Sequence, residues 1–448
     1  MSAQVIALLA LGGVFLVATV TSVNMGALAL VAAFVIGGLA YGVPADDVLS
    51  GFPGSMFVIL VGVTYLFALA KNNGTVDWLV HAAVRAVGGR ISLVPLAMFL
   101  IPAAITSIGA AAPAACAITI PVALRFAQQY RIRPLLMSMM VIQGTTAGGF
   151  SPIAIYGVIV HGVTDAAGLP SNPGLLYLGT FGATALLGVI AFLTLGGRDL
   201  IGRRDETDSE PLPASAAAGE PPSGPSTPRR PGARGVATSA PAPIDIAQAS
   251  RLTLERASTL AALLVLVVAT LVFDLHVGMV ALTIAVVLTL VFPATARTAV
   301  EQVAWSTVLL IGGIMTYVAM LEEQGTIDWL GRGIAGIGVP LLAAFVLLLI
   351  GAVVSAFAST TALLGAVIPL ATPFLLNGDI GVLAVVVALC VSSSVVDCSP
   401  LSTMGALAVA NAPADQRDKV FGGLMVWGMS LVVIAPVVSW TVLVLPAS

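Results

Sequence analysis

The sequence predicts an all-α polytopic membrane protein: two inverted repeats of about five transmembrane helices, each with a re-entrant hairpin and an unwound helix. Three observations carry this. First, the 448 residues are 58% hydrophobic and only 9% charged, whereas soluble proteins carry about 25% charged residues. Apolar runs such as Leu260–Phe273 do not alternate as the strands of a membrane β-barrel do. Second, the chain repeats a phrase. Residues 71–79 read Lys-Asn-Asn-Gly-Thr-Val-Asp-Trp-Leu and residues 322–330 read Glu-Glu-Gln-Gly-Thr-Ile-Asp-Trp-Leu. Around this pair Ile120-Pro121 answers Ile368-Pro369, Ser151-Pro152 answers Ser399-Pro400, and Asn24 to Leu28 answers Val277 to Leu282 more loosely. Third, the cations are unevenly placed. With the N-terminus outside, nine of the ten Lys and Arg beyond the central linker fall on the cytoplasmic side, Arg332 being the exception. This is the asymmetry of the positive-inside rule.

The elements follow in order. In the first half, apolar stretches long enough for a bilayer core of about 30 Å cover roughly 4–20, 24–42, 55–70, 134–160 and 176–196. The N-terminus lacks the basic region of a cleaved signal peptide, so Val5–Val20 reads as a retained helix. In the second half the spans are roughly 257–273, 277–293, 305–321, 380–411 and 420–445. Two further segments, 92–125 and 339–376, are broken by Pro, Gly and Ser and read as re-entrant hairpins. Non-helical backbone survives at membrane depth only where protein or a water-filled cavity surrounds it. The repeated Gly-Thr-Val/Ile-Asp-Trp-Leu reads as the start of a short interfacial helix. Asp77 and Asp328 suit its positive end, and Trp78 and Trp329 serve as anchors.

Three domains result: an N-terminal membrane repeat over 1–197, a disordered cytoplasmic linker over 198–256, and an inverted C-terminal membrane repeat over 257–448. Nine prolines lie between 205 and 245, among Ser, Ala, Gly and mixed charges. Such a composition cannot bury a core. The first repeat starts outside and the second inside, so a pseudo-two-fold axis in the membrane plane relates them. The expected location is the inner (plasma) membrane, multi-pass, with both termini outside.

Polar residues gather at membrane depth in two matched pairs of segments. The hairpin tips are Thr106 to Pro113 and Ser355 to Thr361. The helix interruptions are Gly144 to Pro152 and Ser392 to Thr403. Pro152 and Pro400 each remove a backbone donor and clash with the preceding turn, so the helix unwinds there. Freed carbonyls suit a small cation, and the next half-helix offers amides and a positive dipole end to an anion. Ser and Thr hydroxyls serve both. The candidate anion-binding residues are Thr145, Thr146, Ser359, Thr360 and Ser402. The candidate cation-binding residues are Ser107, Gly109, Gly148 and Gly149 in one repeat, and Ser355, Ser359, Asp397 and Ser399 in the other. Asp397 is the sharpest: an acid deep in an apolar stretch costs about 2.5–3.5 kcal/mol on insertion scales and is a functional candidate by default. It can bind Na⁺, carry a proton, or cap the half-helix beginning near Ser399. Gln143 can donate to a ligand or bond a neighbouring helix.

Other classes find little support. Net charge is −3, so nucleic acid is not an expected partner. Cys116, Cys390 and Cys398 lack zinc or haem spacing and read as small buried hydrophobes. His81, His161 and His276 fall at interfaces or helix ends. No phosphate loop, nucleophile elbow or paired intramembrane aspartates appear. No enzymatic activity, catalytic residue or cofactor is expected, and no metal beyond Na⁺; Na⁺ or H⁺ remain as coupling ions.

The stretch Asn24-Met25-Gly26-Ala27-Leu28-Ala29-Leu30-Val31-Ala32-Ala33-Phe34 closely resembles the N-terminal motif of the MatC-type dicarboxylate carriers, associated with malonate uptake. The two halves resemble the wider ion transporter superfamily, which includes the divalent anion:sodium symporters. The resemblance implies a secondary active transporter of small dicarboxylates, malonate or a C4 acid, cation-coupled and working as a homodimeric elevator. In the symporters each hairpin tip carries Ser-Asn-Thr for Na⁺ and the substrate carboxylate. Here Ser359-Thr360-Thr361 matches in part, without the Asn, and Gly109-Ala110-Ala111-Ala112-Pro113 does not match. The alternative on the same architecture is a Na⁺/H⁺ antiporter with Asp397 as its titrating group.

Overall fold

The structure, a computed structural model, describes residues 2–21, 23–86, 90–203, 252–327, 329, 340–357, 360–377 and 381–447. The described residues are helical, with no strand among them. The first half contains α1 (Ala3–Val20), α2 (Met25–Ile36, continued by a wider turn to Tyr41), α3 (Ala45–Ser50), α4 (Gly54–Asn72) and α5 (Thr75–Ala86). It goes on through α6 (Val94–Ser107), α7 (Ala112–Gln129), α8 (Pro134–Gly149), α9 (Ile155–Ala166) and α10 (Pro173–Thr194). The second half contains α11 (Leu254–Leu271), α12 (Val277–Val291), α13 (Pro293–Ala296), α14 (Trp305–Glu323) and α15 (Pro340–Phe357). It ends with α16 (Thr360–Asn377), α17 (Val382–Ser394), α18 (Thr403–Asn411) and α19 (Arg417–Ser439). The short α3 has no counterpart in the sequence reading; Pro44 precedes it and Asp46 and Asp47 occupy its first turn, where acids favour a helix start.

Five helical segments among the described residues are long and apolar enough to cross a membrane unaided: Gly54–Asn72, Pro173–Thr194, Trp305–Glu323, Val382–Asn411 and Arg417–Ala447. The remaining apolar helices, such as Met25–Tyr41 and Val277–Val291, are shorter. Burial sorts the long ones. Most residues of Val382–Asn411 are buried and it forms the interior, whereas few of those of Pro173–Thr194 are.

The two repeats cross-pair. Helix α2 packs on α14, and its counterpart α12 packs on α4, the counterpart of α14. Glycines let the backbones touch. A Cβ on Gly26 would sit 1.9 Å from the Leu309 carbonyl oxygen, and one on Gly313 would sit 1.8 Å from that of Gly26. In the mirror crossing, a Cβ on Gly278 would sit 2.6 Å from the Ile59 backbone, and one on Gly62 would sit 2.6 Å from the Gly278 oxygen. Small residues at such crossings are how membrane helices gain contact without a hydrophobic driving force. Even the caps correspond. Asn24 Oδ1 accepts from Gly26 N at 2.9 Å while its Nδ2 donates to Ser306 Oγ at 3.0 Å. His276 Nδ1 accepts from Met279 N at 3.4 Å while its Nε2 meets Ser55 Oγ at 2.8 Å. The motif beginning at Asn24 is thus a helix cap plus a crossing glycine, and His276 is its second-repeat equivalent.

Helices α6 and α7 form the first hairpin and α15 and α16 the second. The first hairpin's tip is internal: Gly109 and Ala110 are buried. A Cβ on Gly109 would lie 2.1 Å from Val63 Cγ1, and Val63 is the midpoint of the 19-residue α4. That puts the tip halfway along a spanning helix, as re-entrance requires. The two helix interruptions are present as well: α8 stops at Gly149 and α9 resumes at Ile155, while α17 stops at Ser394, passes through a tight turn over Val395–Cys398, and resumes as α18 at Thr403.

The expected linker 198–256 is trimmed at both edges. Residues 198–203 and 252–256 are part of the bundle: Arg203 Nη2 donates to the Tyr130 carbonyl at 2.9 Å, and Arg256 Nε donates to that of Asn73 at 3.2 Å. Thr253 caps α11 and Glu255 accepts from Thr295 Oγ1. Residues 204–251, which hold the proline-rich stretch, lie outside the described residues, as do Asp328 and Arg332.

Candidate functional site

The second repeat builds the more polar centre. Asp397 sits in the turn between α17 and α18 with 5% of its surface exposed. Its Oδ1 accepts from Thr360 Oγ1 at 2.7 Å, and Thr360 Oγ1 lies 2.8 Å from Ser355 Oγ. Since Thr360 spends its proton on the carboxylate, Ser355 is the donor in the second bond. A relay therefore runs from the end of α15 through the start of α16 to the broken helix. The other carboxylate oxygen, Oδ2, is buried without a partner among the described residues. A buried carboxylate oxygen left unsatisfied is costly, and a cation or a proton relieves that cost.

The first repeat builds a neutral counterpart. Ser151 Oγ donates to the Ser107 carbonyl at 2.7 Å, which joins the broken helix to the hairpin tip. Ser107 Oγ donates to the Ala103 carbonyl at 2.7 Å and lies 3.0 Å from the Tyr177 hydroxyl, which is its donor. Gly149 occupies the place of Asp397. A Cβ there would lie 2.9 Å from the Tyr156 ring, so this side has packing where the other has a charge.

Matching glycines shape both Ser-Pro turns. A Cβ on Gly157 would fall 2.0 Å from the Ser151 carbonyl oxygen and one on Gly405 would fall 1.9 Å from that of Ser399. The half-helices α9 and α18 can therefore fold back against the turns that precede them. Their ends differ in one respect. Ser402 caps α18, its Oγ accepting from Gly405 N at 3.2 Å and donating to the carbonyls of Asp397 (2.5 Å) and Ser399 (2.7 Å). Ala154 gives α9 no side-chain cap, leaving its first-turn amides as ready donors to an anion.

The halves converge. Thr145 Oγ1 lies 3.3 Å from Met404 Sδ at the start of α18. Helix α9, which carries Tyr156, packs on α16 of the second hairpin. A cavity of about 690 Å³ reaches the first interruption at Pro152. It is lined by Ser55, Met56, Pro152, His161, Met315 and His276 among others, so it runs between α4, α14 and the start of α12 on one side and α9 on the other. Both ring nitrogens of His161 lack a partner among the described residues.

Of the residues named from sequence, the structure brings Ser355, Thr360 and Asp397 into one hydrogen-bonded chain, and Ser107 into contact with Ser151. Gly148 serves close packing, a Cβ there falling 2.0 Å from the Ala103 carbonyl oxygen. Gly109, at φ +109°, supplies a backbone conformation that side chains rarely adopt. Thr145 and Thr146 return their hydroxyls to the Ile142 carbonyl (2.7 and 3.1 Å), and Ser402 is committed to its cap. Ser399 Oγ accepts from Leu401 N at 3.3 Å. Ser359 lies outside the described residues. Gln143 is buried with Oε1 unpartnered among the described residues. Sequence reasoning missed Tyr177, which bonds Ser107, and Tyr156, whose ring packs at Gly149; Cys116 is a buried free thiol, as read from the sequence. The signal available for Tyr156 was its place six residues after the interruption's Phe150, on the half-helix that follows the break.

The comparisons agree with this architecture. Residues 1–149 match the family model described as the N-terminus of the dicarboxylate carrier protein MatC. The fold is similar to the crystal structure of the Alcanivorax borkumensis YdaH transporter, described as having an unusual topology. The TM-score is 0.54 at 15% identity, covering 88% of this chain and 86% of that one. No curated protein matches the sequence.

Proposed function

We propose that this chain is a secondary active transporter of small dicarboxylates, malonate or a C4 acid, coupled to Na⁺ or H⁺. The coarser statement stands on the matches just given: a multi-pass, transporter-like membrane protein whose N-terminal third fits a dicarboxylate carrier family, a carrier and not an enzyme. The observation that supports the finer reading is the bond from Thr360 of the second hairpin to Asp397 of the interrupted helix, whose Oδ2 has no partner among the described residues.

Chemically, the coupling ion belongs at Asp397, with the Thr360–Ser355 relay able to reorient as it arrives. The neutral Ser107–Ser151 contact suits a second, weaker cation site built on carbonyls. The substrate carboxylates belong at the uncapped start of α9 and the start of α16, between the two cation positions. Cation binding at Asp397 cancels a charge that repels the substrate, so ion and dicarboxylate bind together more tightly than either alone, which is what coupling requires. The cavity reaching Pro152 is the approach route. An elevator motion of the hairpins on a dimeric scaffold, with both termini outside in the inner membrane, completes the proposal.

The unpartnered carboxylate also favours a second reading, a Na⁺/H⁺ antiporter. Uptake of labelled malonate and succinate into proteoliposomes, with and without an inward Na⁺ gradient at fixed pH, separates the two. Na⁺-stimulated accumulation is the expected result. Accumulation that answers only to a pH gradient makes H⁺ the coupling ion. No uptake of either acid by folded protein under any gradient sinks the dicarboxylate reading and promotes the antiporter.

A further inference from the structure

A second cavity, of about 680 Å³, lies at the opposite end of α8 from the interruption. The α7–α8 turn contributes Gln128, Arg131 and Arg133, and the α18–α19 turn contributes Asp415, Gln416 and Lys419. Arg131 and Arg133 thus face Lys419 and Asp415, all four exposed, across a gap that both repeats line, three cations to one carboxylate. None of the three has a side-chain hydrogen bond or ion pair among the described residues, while Asp415 is engaged by Gln416 Nε2 at 3.5 Å.

The cluster is held in place. Arg131 adopts φ +52°, the left-handed end of a helix where Gly is the usual occupant. Ile132 N closes that end on the Ala127 carbonyl at 2.8 Å. Arg133 packs on Gly196, where a Cβ would lie 3.0 Å from its Nε. Gly423 of α19 gives room to Leu135 of α8, a Cβ there lying 2.3 Å from Leu135 Cδ2, which locks the two turns together. The positive-inside rule accounts for cations on this face, but it does not require three of them from two distant turns to converge on one cavity.

We propose that this cavity binds a compact anionic group, phosphate or carboxylate, on the face that the charge distribution assigns to the cytoplasm. The ligand is a soluble anion or the headgroup of an anionic lipid; the chemistry is shared, because guanidinium and ammonium groups donate charge-assisted hydrogen bonds to either. The site is positioned to act on transport. Helix α8 leads directly into the first interruption, and Gly428 of α19 presses on Ser399 in the second, a Cβ there lying 2.7 Å from Ser399 Cα. An anion bridging the two turns restrains both at once. This site stands independently of which substrate the central site takes.

The test uses the full chain in nanodiscs of zwitterionic lipid, titrated with inorganic phosphate against chloride at matched ionic strength and followed by thermal melting. The expected result is a saturable rise in Tm, with half-saturating phosphate raised about tenfold by Lys419→Gln and the rise abolished by Arg131→Gln/Arg133→Gln/Lys419→Gln. Arg125→Gln/Arg417→Gln, exposed cations outside the cavity, should leave it unchanged. A parallel arm replaces phosphate with phosphatidylglycerol in the disc. Stabilisation there alone, lost in the same variants, identifies a lipid headgroup as the ligand. If neither anion stabilises the protein, or Lys419→Gln responds as the native chain does, the proposal is overturned.

Discussion

At the scale of single residues, Asp397 and Thr360 concentrate the chemistry. Asp397 keeps one oxygen bonded to Thr360 and leaves the other without a partner among the described residues. Replacing the carboxylate with an amide keeps the shape and removes the charge. Asp397→Asn should abolish cation-driven accumulation while leaving the protein folded, with Tm equal to or above the native value, because an uncompensated buried charge has been removed. A Tm loss comparable with that of a core deletion would instead assign Asp397 a capping role. Thr360→Val tests the relay. It strips the Oδ1 donor and leaves Ser355 without its acceptor, so the apparent affinity for the coupling ion in uptake assays should fall by about tenfold or more, with a smaller effect on uptake at saturating ion.

At the scale of elements, the two interrupted helices depend on glycines six residues past their Ser-Pro turns' serines. Gly405→Ala would drive a methyl to within 1.9 Å of the Ser399 carbonyl oxygen. Overpacking of this kind costs about 1–3 kcal/mol or more, and here the obstructing atom is backbone. Gly157→Ala meets the same obstacle at 2.0 Å. Both should lower Tm and cut uptake sharply, whereas Gly12→Ala, with nothing within 4 Å, should change neither. Circular dichroism melts in detergent alongside uptake would show it. The interruptions themselves were legible in the sequence, since Pro152 and Pro400 sit at matching places beside small polar residues. The reason each turn closes was not legible, because Gly157 and Gly405 looked like ordinary helix glycines until their neighbours were placed.

At the scale of the whole molecule, the repeats hold each other through two equivalent crossings, α2 on α14 and α12 on α4. Gly313→Leu should therefore damage the fold more than a loss of local helix, because the Gly26 backbone lies where the side chain would go. Lower yield of protein monodisperse on size exclusion is the expected outcome; normal yield and uptake would show that the crossing can spread. Removal of residues 205–245, the proline-rich part of the linker, should leave uptake intact, since the bundle's own contacts begin again at Thr253 and Arg256.

Composition and the internal repeats were enough to determine an all-α membrane fold, its two repeats, its hairpins and the burial of Asp397. These are properties of local periodicity, residue chemistry and internal likeness, all of which lie along the chain. The tertiary structure alone decided which hydroxyls meet Asp397. Thr145, Thr146 and Ser402 bond nearby backbone groups, while Ser355 and Thr360, separated from Asp397 by a whole helix and more, form its chain of donors. Hydrogen bonding acts over about 3 Å in space, and no spacing along a sequence fixes which of several hydroxyls will close that distance.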